Sequence, residues 1–144
     1  MIVREMRDTE CFEVIRAEQI GRLACSQEGQ PYVVPIRYAY SENCIFSFSM
    51  PGKKIDIMRS NEKVCIEIED LGNTHDWRCV VIDGVFRELP SSEERQHAWE
   101  LLQIRNDWWE PGALKPGPQH LAAKPSHVYF KVEFGSVTGR QARS

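Results

Sequence analysis

Hydrophobic and polar positions alternate most clearly between residues 63 and 69, where Val64, Ile66 and Ile68 are each separated by one more polar residue. A period of two is typical of a β-strand with one buried and one solvated face. Other runs rich in β-branched and aromatic residues predict further strands. We place these five strands at residues 20–26, 31–40, 44–49, 77–89 and 127–135.

Two residues inside the predicted strands do not fit a regular ladder. Gly84 lies at the middle of the strand at 77–89 and predicts a bulge or bend, which the closure of a small barrel requires. Pro35 lies in the strand at 31–40, where it cannot donate a ladder hydrogen bond. Two interpretations of Pro35 stay open: an ordinary edge strand, or a strand with a flat ligand beside its exposed backbone.

Three helices are predicted between these strands. The first is capped by Asp8 or Thr9 and is ended by Gly21, and the second is short, at residues 54–60. The third begins at Ser91 and Glu94, which have the spacing of a capping box, and continues to residue 107 or 108. Six strands in antiparallel hairpins with few helices predict a mainly β protein, a small β-barrel. We find no repeat or long linker, so residues 1–144 are expected to form one domain.

Composition narrows the function classes. The net charge of −3 argues against nucleic acid as the main partner, and no apolar run approaches the roughly 20 residues that span a bilayer. The five cysteines include no C-x-x-C pair, and most lie in strand-like runs, so reduced thiols and a cytoplasmic location are expected. The four histidines fall in separate segments without ligand spacing, which argues against a metal site.

The segment from Ser49 to Lys54 is the clearest candidate for chemistry. A strand ends at Met50-Pro51-Gly52, and two lysines then begin a predicted helix. A helix start presents unpaired N–H groups and the positive end of the helix dipole. Two interpretations stay open: a site for a phosphate or carboxylate, or a solvated lysine pair at the start of a surface helix.

Several segments have the order and spacing found in a known family. They are residues 20–24, 29–36, 45–49, 52–54, 58–65 and 77–84. With these motifs the sequence resembles the pyridoxamine 5′-phosphate oxidase-like flavoproteins, in the branch that includes the 5-nitroimidazole resistance proteins. The resemblance covers residues 8–90 closely and the rest by layout only. It implies a six-stranded antiparallel FMN-binding split barrel that forms a homodimer with two FMN molecules across its interface.

The resemblance also implies roles for particular residues. Lys53 and Lys54 would bind the FMN phosphate, Ser49 would add a hydroxyl, and the strand from Val34 to Arg37 would run beside the isoalloxazine ring. The full set of implied cofactor-binding residues is Val34, Pro35, Ile36, Arg37, Phe48, Ser49, Lys53, Lys54, Cys79, Val80, Trp108 and Trp109.

Two positions in this set depart from the family pattern, and Trp108-Trp109 admits two interpretations. Phe48 stands where nitroimidazole-reducing relatives often have histidine, and Cys79 replaces a serine near the phosphate. A thiol is a weaker hydrogen-bond donor than a hydroxyl, so Cys79 would contribute mainly backbone and shape. The Trp108-Trp109 pair would either be buried within the subunit or cover the flavin of the partner.

Three functions follow from this resemblance. The first is an FMN-dependent oxidoreductase that reduces a small molecule with NADH or NADPH as a transient donor, since no G-x-G-x-x-G is present to hold a dinucleotide. The second is a protein that binds flavin without turnover. The third is a protein whose pocket holds haem or a deazaflavin in place of FMN, with His75 and His120 as the loop histidines for haem.

Overall fold

The computed structural model describes residues 1–103 and 127–144, which fold around one curled antiparallel sheet. The elements in chain order are β1 (Ile2–Glu5), α1 (Asp8–Ala17), β2 (Ile20–Gln27), β3 (Gln30–Arg37), β4 (Ala39–Ser41), β5 (Cys44–Ser49), α2 (Lys53–Ser60), β6 (Lys63–Leu71), β7 (Trp77–Glu88), α3 (Ser92–Gln103) and β8 (Val128–Arg143). None of the described helices is long and apolar enough to cross a membrane.

The predicted mainly β, antiparallel barrel fold is confirmed. The strands follow the order β3-β2-β6-β7-β8-β5-β4, and β1 pairs with β8 at one side of this path. The two ends of the path, β3 and β4, are consecutive along the chain, so the sheet curls back on itself without a ladder between them. This is a barrel that is split along one seam.

The predicted count of six strands is wrong, because the described chain contains eight. β1 has all four residues exposed and therefore no hydrophobic alternation to reveal it. The strand predicted at 31–40 is divided at Tyr38, whose ring turns into the core and whose backbone N–H donates to the carbonyl of Gln19 at 3.0 Å. β8 extends eight residues beyond the predicted end at residue 135, past an exposed Gly135-Ser136 pair that interrupts the pattern.

The bend predicted at Gly84 lies at the right level of the sheet, but the extra residue is on the neighbouring strand. Asp83 pairs with Ser136 and Gly84 pairs with Phe134, so Gly135 of β8 is unpaired. Gly84 itself is required by close packing, since an added Cβ would lie 2.7 Å from Cγ1 of Val132 and closer still to a backbone carbonyl. The bulge lets β8 leave the direction of β5 and continue beside β1.

The helices close the fold from different sides. Buried side chains of α1 and α2, including Val14, Ile15 and Ile55, join the main core inside the curled sheet. α1 begins at Asp8 and its N-cap is Arg7, so the predicted cap at Asp8 or Thr9 is wrong. The helix ends at Ala17, so the prediction that Gly21 ends it is also wrong, and Gly21 belongs to β2.

The third helix lies on the opposite side of the sheet. α3 packs on the outer side of β5 and β8 against Phe46 and Tyr129. The predicted cap of α3 is confirmed, since the backbone N–H of Glu94 donates to Oγ of Ser91 at 3.1 Å.

One side of the sheet remains uncovered by the three described helices. On β2, β6 and β7 the side chains that point away from the core form a surface that we call the outer face. Its members are Arg22, Ala24, Cys65, Glu67, Glu69, Cys79, Val81 and Asp83. The register places Arg22 opposite Glu67, and Glu69 opposite Cys79.

Candidate functional site

The start of α2 places two ammonium groups beside the β2–β3 hairpin. Nζ of Lys53 lies 4.7 Å from the centroid of the Tyr32 ring on β3, a cation–π contact. The half-buried Lys54 lies near Cys25 of β2, where its charge partly offsets the burial that raises the pKa of that thiol. The N-cap residue of α2 is Gly52, which has no side chain to bond the N–H groups of the first turn. The two lysines thus flank a helix start with backbone donors.

β3 is the edge strand that one interpretation of Pro35 requires. Pro35 pairs with Arg22 of β2 on one side and, as a member of the last strand in the sheet, has no ladder partner on the other. It is exposed, as is Val33, whereas Ile36 is buried in the core and Val34 is half-buried. A ligand beside this strand would therefore meet Pro35 and the backbone, while the side chain of Ile36 supports the strand from behind.

A short hydrogen bond ties the end of β3 to β5. The buried hydroxyl of Ser47 donates to the carbonyl oxygen of Arg37 at 2.7 Å. Two residues later, Oγ of Ser49 donates to the carbonyl of Met50 at 2.8 Å, which leaves its lone pairs available as acceptors. The chain then enters α2, so the β3 edge, Ser49 and the lysines lie along one continuous segment of surface. We call Val34–Arg37, Ser49, Lys53 and Lys54 the lysine surface.

Phe48 points away from the lysine surface, towards the side of β5 that α3 covers. Its ring stacks on Tyr129 with centroids 5.5 Å apart and meets the ring of His127 edge-on at 5.3 Å. The structure therefore gives Phe48 a packing role within the subunit, between β5 and β8. The predicted cover of the flavin by Trp108 and Trp109 concerns residues outside the described part of the chain.

Cys79 and Val80 lie apart from the lysine surface. They are on β7, which β2 and β6 separate from β3, a distance of about 14 Å along the sheet at the usual strand spacing. The side chain of Val80 is fully buried in the core, whereas Cys79 belongs to the outer face. Within one chain, these two residues do not join the site around Lys53 and Lys54.

Cys79 forms a hydrogen bond with Glu67, a partner that the sequence analysis does not predict. Its Sγ donates to Oε2 of Glu67 at 3.0 Å, so its single proton is already committed. Burial, followed by this bond to the carboxylate, raises the pKa of the Cys79 thiol to about 12. The thiol is neutral at physiological pH and offers a ligand a sulfur surface instead of a donor or a nucleophile.

The same region of the outer face contains a pair of carboxyls with one arginine. Nη1 of Arg22 lies 3.0 Å from Oε1 of Glu69 and 3.8 Å from Oε1 of Glu67. Burial and the hydrogen bond between the two carboxyls raise the pKa of Glu69, despite the nearby guanidinium. The alternation along β6 indicates that Glu67 and Glu69 share a face, but nothing in the sequence indicates that Arg22 and Cys79 lie opposite them.

A cavity of about 560 Å³ adjoins Cys79 on the side away from the lysine surface. It lies between β1, β7 and β8, and its lining includes Trp77, Cys79 and Arg140. Glu5 and Asp8 also belong to the lining. The candidate residues thus fall on two surfaces, one basic and one that contains Cys79.

Comparisons with known proteins agree with this fold. Residues 7–141 match the sequence profile of a family described as pyridoxamine 5′-phosphate oxidase. An uncharacterized protein, RA0666, from Rhizobium meliloti strain 1021 is 47% identical over 146 residues, which cover 99% of this chain and 97% of that one.

Two solved structures have the same architecture. A structure described as an FAD-binding protein from Mesorhizobium loti is 44% identical, with a TM-score of 0.82 and coverage of 99% of both chains. A candidate 5-nitroimidazole antibiotic resistance protein from Bacteroides thetaiotaomicron is 18% identical, with a TM-score of 0.76 over 98% of this chain and 89% of that one. At 18% identity the second likeness shows the fold alone.

Proposed function

The chain belongs to the pyridoxamine 5′-phosphate oxidase family, and on that premise we propose that it is a flavin-dependent oxidoreductase whose flavin phosphate binds between Lys53 and Lys54. The observation that carries this proposal is the placement of both lysines at a helix start whose N-cap residue has no side chain, beside a proline-containing edge strand. Two cations at a helix start with unpaired backbone N–H groups suit a phosphate dianion.

The ring system of the flavin would lie along β3. A flat ligand needs an open strand edge, and Pro35 keeps this edge from accepting another strand as a regular ladder partner. Arg37, at the end of β3, is half-buried and is fixed through its backbone by Ser47. Its guanidinium is a candidate for stabilising negative charge on the reduced ring. When bound, a flavin supplies the electron and hydride transfer, and these residues supply its position and the surrounding charge.

We propose FMN as the flavin, with FAD as a second candidate. The lysine surface offers two lysines that are consecutive in the first turn of α2, which suits a single terminal phosphate. FAD is supported by the description of the Mesorhizobium loti relative as an FAD-binding protein. The adenosine of FAD would need a further surface beyond Lys53 and Lys54, so the two ligands predict different losses when the lysines are changed.

We also propose that the active assembly is a homodimer. Two strands separate Cys79 from β3, so Cys79 can contribute to the same site as the lysines only if a second copy supplies it. The outer face, uncovered by the described helices, is the surface that could deliver Cys79, whereas Val80 stays buried in the core of its own copy. A cytoplasmic location fits the five free thiols, two of which are buried.

The reaction itself is proposed as reduction of a small molecule with NADH or NADPH as a transient donor. A second function, flavin binding without turnover, is favoured by the name of the 44% identical relative, which describes binding and no reaction. The two functions share a cofactor site and differ only in what happens after the flavin is bound.

The test is the visible absorption spectrum of the purified protein before and after gel filtration with FMN or FAD. We expect flavin bands that elute with the protein after FMN is added, and loss of those bands in Lys54→Glu. Full flavin occupancy in Lys54→Glu would overturn the phosphate site. A bound flavin that NADH and NADPH both fail to reduce, with and without small-molecule acceptors, would favour the binding function. A haem spectrum would overturn the flavin proposal and direct attention to His75.

A further inference from the structure

The outer face carries two carboxyls that share one cation. Glu67 and Glu69 are two residues apart on β6, so both side chains stand on the same side of the sheet, and each is 26% exposed. The guanidinium of Arg22 is 3.0 Å from Glu69 and 3.8 Å from Glu67. With both carboxyls ionised, the three side chains together carry a net charge of −1.

The hydrogen bonds of this cluster are incomplete. Oε2 of Glu67 accepts the thiol proton of Cys79 at 3.0 Å. Oε1 of Glu67 is buried and accepts no hydrogen bond from any residue in the described ranges. A buried acceptor without a donor is costly, and a proton on Glu69 would provide that donor. Burial and the bond to Glu67, which raise the pKa of Glu69, act in the direction of this protonated form.

Other charged groups that face the pair do not remove its negative charge. On β7, Asp83 adds a second negative charge one row away and is bonded by Oγ of Ser136 at 3.1 Å. On β8, Arg140 lies opposite Cys79 and has a long ion pair of 3.9 Å with Glu5. Arg22 is therefore the cation that the described residues place in ion-pair range of both carboxyls.

This inference rests on the homodimer proposed above and adds the chemistry of its interface. We propose that the second copy docks on the outer face over Arg22, Glu67, Glu69 and Cys79, and that each copy then holds one proton between the carboxyls of Glu67 and Glu69. The same face carries the apolar side chains of Ala24 and Val81, and Val33 is 62% exposed at its margin, opposite Ala24. Removal of water by the second copy would favour the neutral form of one carboxyl.

The sign of the pH dependence follows from this proton. Docking would raise the pKa of Glu69 further by removing water from it, so docking takes up protons and the dimer weakens as pH rises through that window. Each proton changes the dissociation constant by at most about tenfold per pH unit. Two copies therefore allow at most about a hundredfold change per unit.

The test is the dissociation constant of the full-length protein without added flavin, measured by analytical ultracentrifugation between about pH 6 and pH 8 at constant ionic strength. Because the chain is acidic, general repulsion also weakens the dimer as pH rises. The variant Glu69→Gln is subject to the same general repulsion between acidic chains. Its amide N–H can replace the bridging proton and does not titrate. Glu93→Gln, an exposed position on α3 away from this face, is the matched control.

We expect the dissociation constant of the wild type and of Glu93→Gln to rise more steeply with pH than that of Glu69→Gln, by up to about a hundredfold per unit. Equal slopes in the wild type and folded Glu69→Gln would overturn the shared proton and leave the homodimer standing. Should Glu69→Gln not fold, calorimetric dilution of wild-type dimer in buffers of different ionisation enthalpy gives the proton count directly, and a count of zero overturns the proposal. A monomer at every pH would overturn the homodimer and this inference together, while flavin binding by Lys53 and Lys54 would remain a separate result.

Discussion

Removal of one ammonium group at a time should reveal which lysine binds the flavin phosphate. Lys54 is half-buried and lies beside β2, whereas Lys53 is exposed and its ammonium sits on the Tyr32 ring. A hydrogen bond between a charged donor and phosphate contributes about 1.5–3 kcal/mol, and an exposed ion pair only about 0.2–1 kcal/mol. At about 1.4 kcal/mol for each factor of ten, we expect Lys54→Met to weaken flavin binding by about 10- to 150-fold and Lys53→Met by less than about sixfold.

The assay is quenching of flavin fluorescence on titration of the protein without cofactor into FMN, at low and at high salt. Lys63→Met is the matched control, because Lys63 is an exposed lysine at the start of β6 and lies outside the lysine surface. Equal dissociation constants for Lys54→Met and Lys63→Met would refute the reasoning. Salt should weaken the contribution of Lys53 more than that of Lys54, because exposed charges are screened more strongly.

Three further outcomes are expected. Gly84→Ala should lower the free energy of unfolding by about 1–3 kcal/mol, because the added Cβ must displace the backbone of β8. In the control Gly52→Ala the added atom meets nothing closer than 4.0 Å, so the free energy of unfolding should change by less than about 0.5 kcal/mol. Chemical denaturation measures both changes. Cys79 should resist alkylation by iodoacetamide at about pH 8, because its thiol pKa is about 12. Mass spectrometry measures the alkylation, and a rapid reaction would contradict the hydrogen bond to the carboxylate of Glu67. The pKa of Glu10 is lowered to about 2 by its hydrogen bond to Arg4, so Glu10→Gln should reduce stability at neutral pH, and the difference from wild type should vanish as acid titration passes through that pKa.

The sequence predicts those parts of the fold that depend on local rules. The alternation at Val64, Ile66 and Ile68 identifies β6 because one buried face forces a period of two. The Ser91–Glu94 spacing identifies the start of α3 because the cap is made within four residues. Pro35 belongs to an edge strand because a proline cannot complete a central ladder.

What could not be predicted depends on register and on pairing between distant strands. β1 has no buried face and joins the sheet through its pairing with β8, so its own residues contain no strand signal. Glu67 and Glu69 read as a solvated face until β2 and β7 bring Arg22 and Cys79 opposite them. The separation of Cys79 from Lys53 is equally non-local, since it follows from the insertion of two strands between β3 and β7.

The division of the candidate residues between two surfaces links cofactor binding to assembly. If the lysine surface of one copy binds the flavin phosphate and the outer face of the other contributes Cys79, the ligand binds the dimer more tightly than the monomer. Thermodynamic linkage then requires the flavin to strengthen the dimer by the same factor. Because Cys79 has already committed its proton to Glu67 at 3.0 Å, its contribution must come from shape and exclusion of water. A change at Cys79 should therefore alter flavin affinity through packing, whereas a change at Glu69 should alter it only through the strength of the dimer.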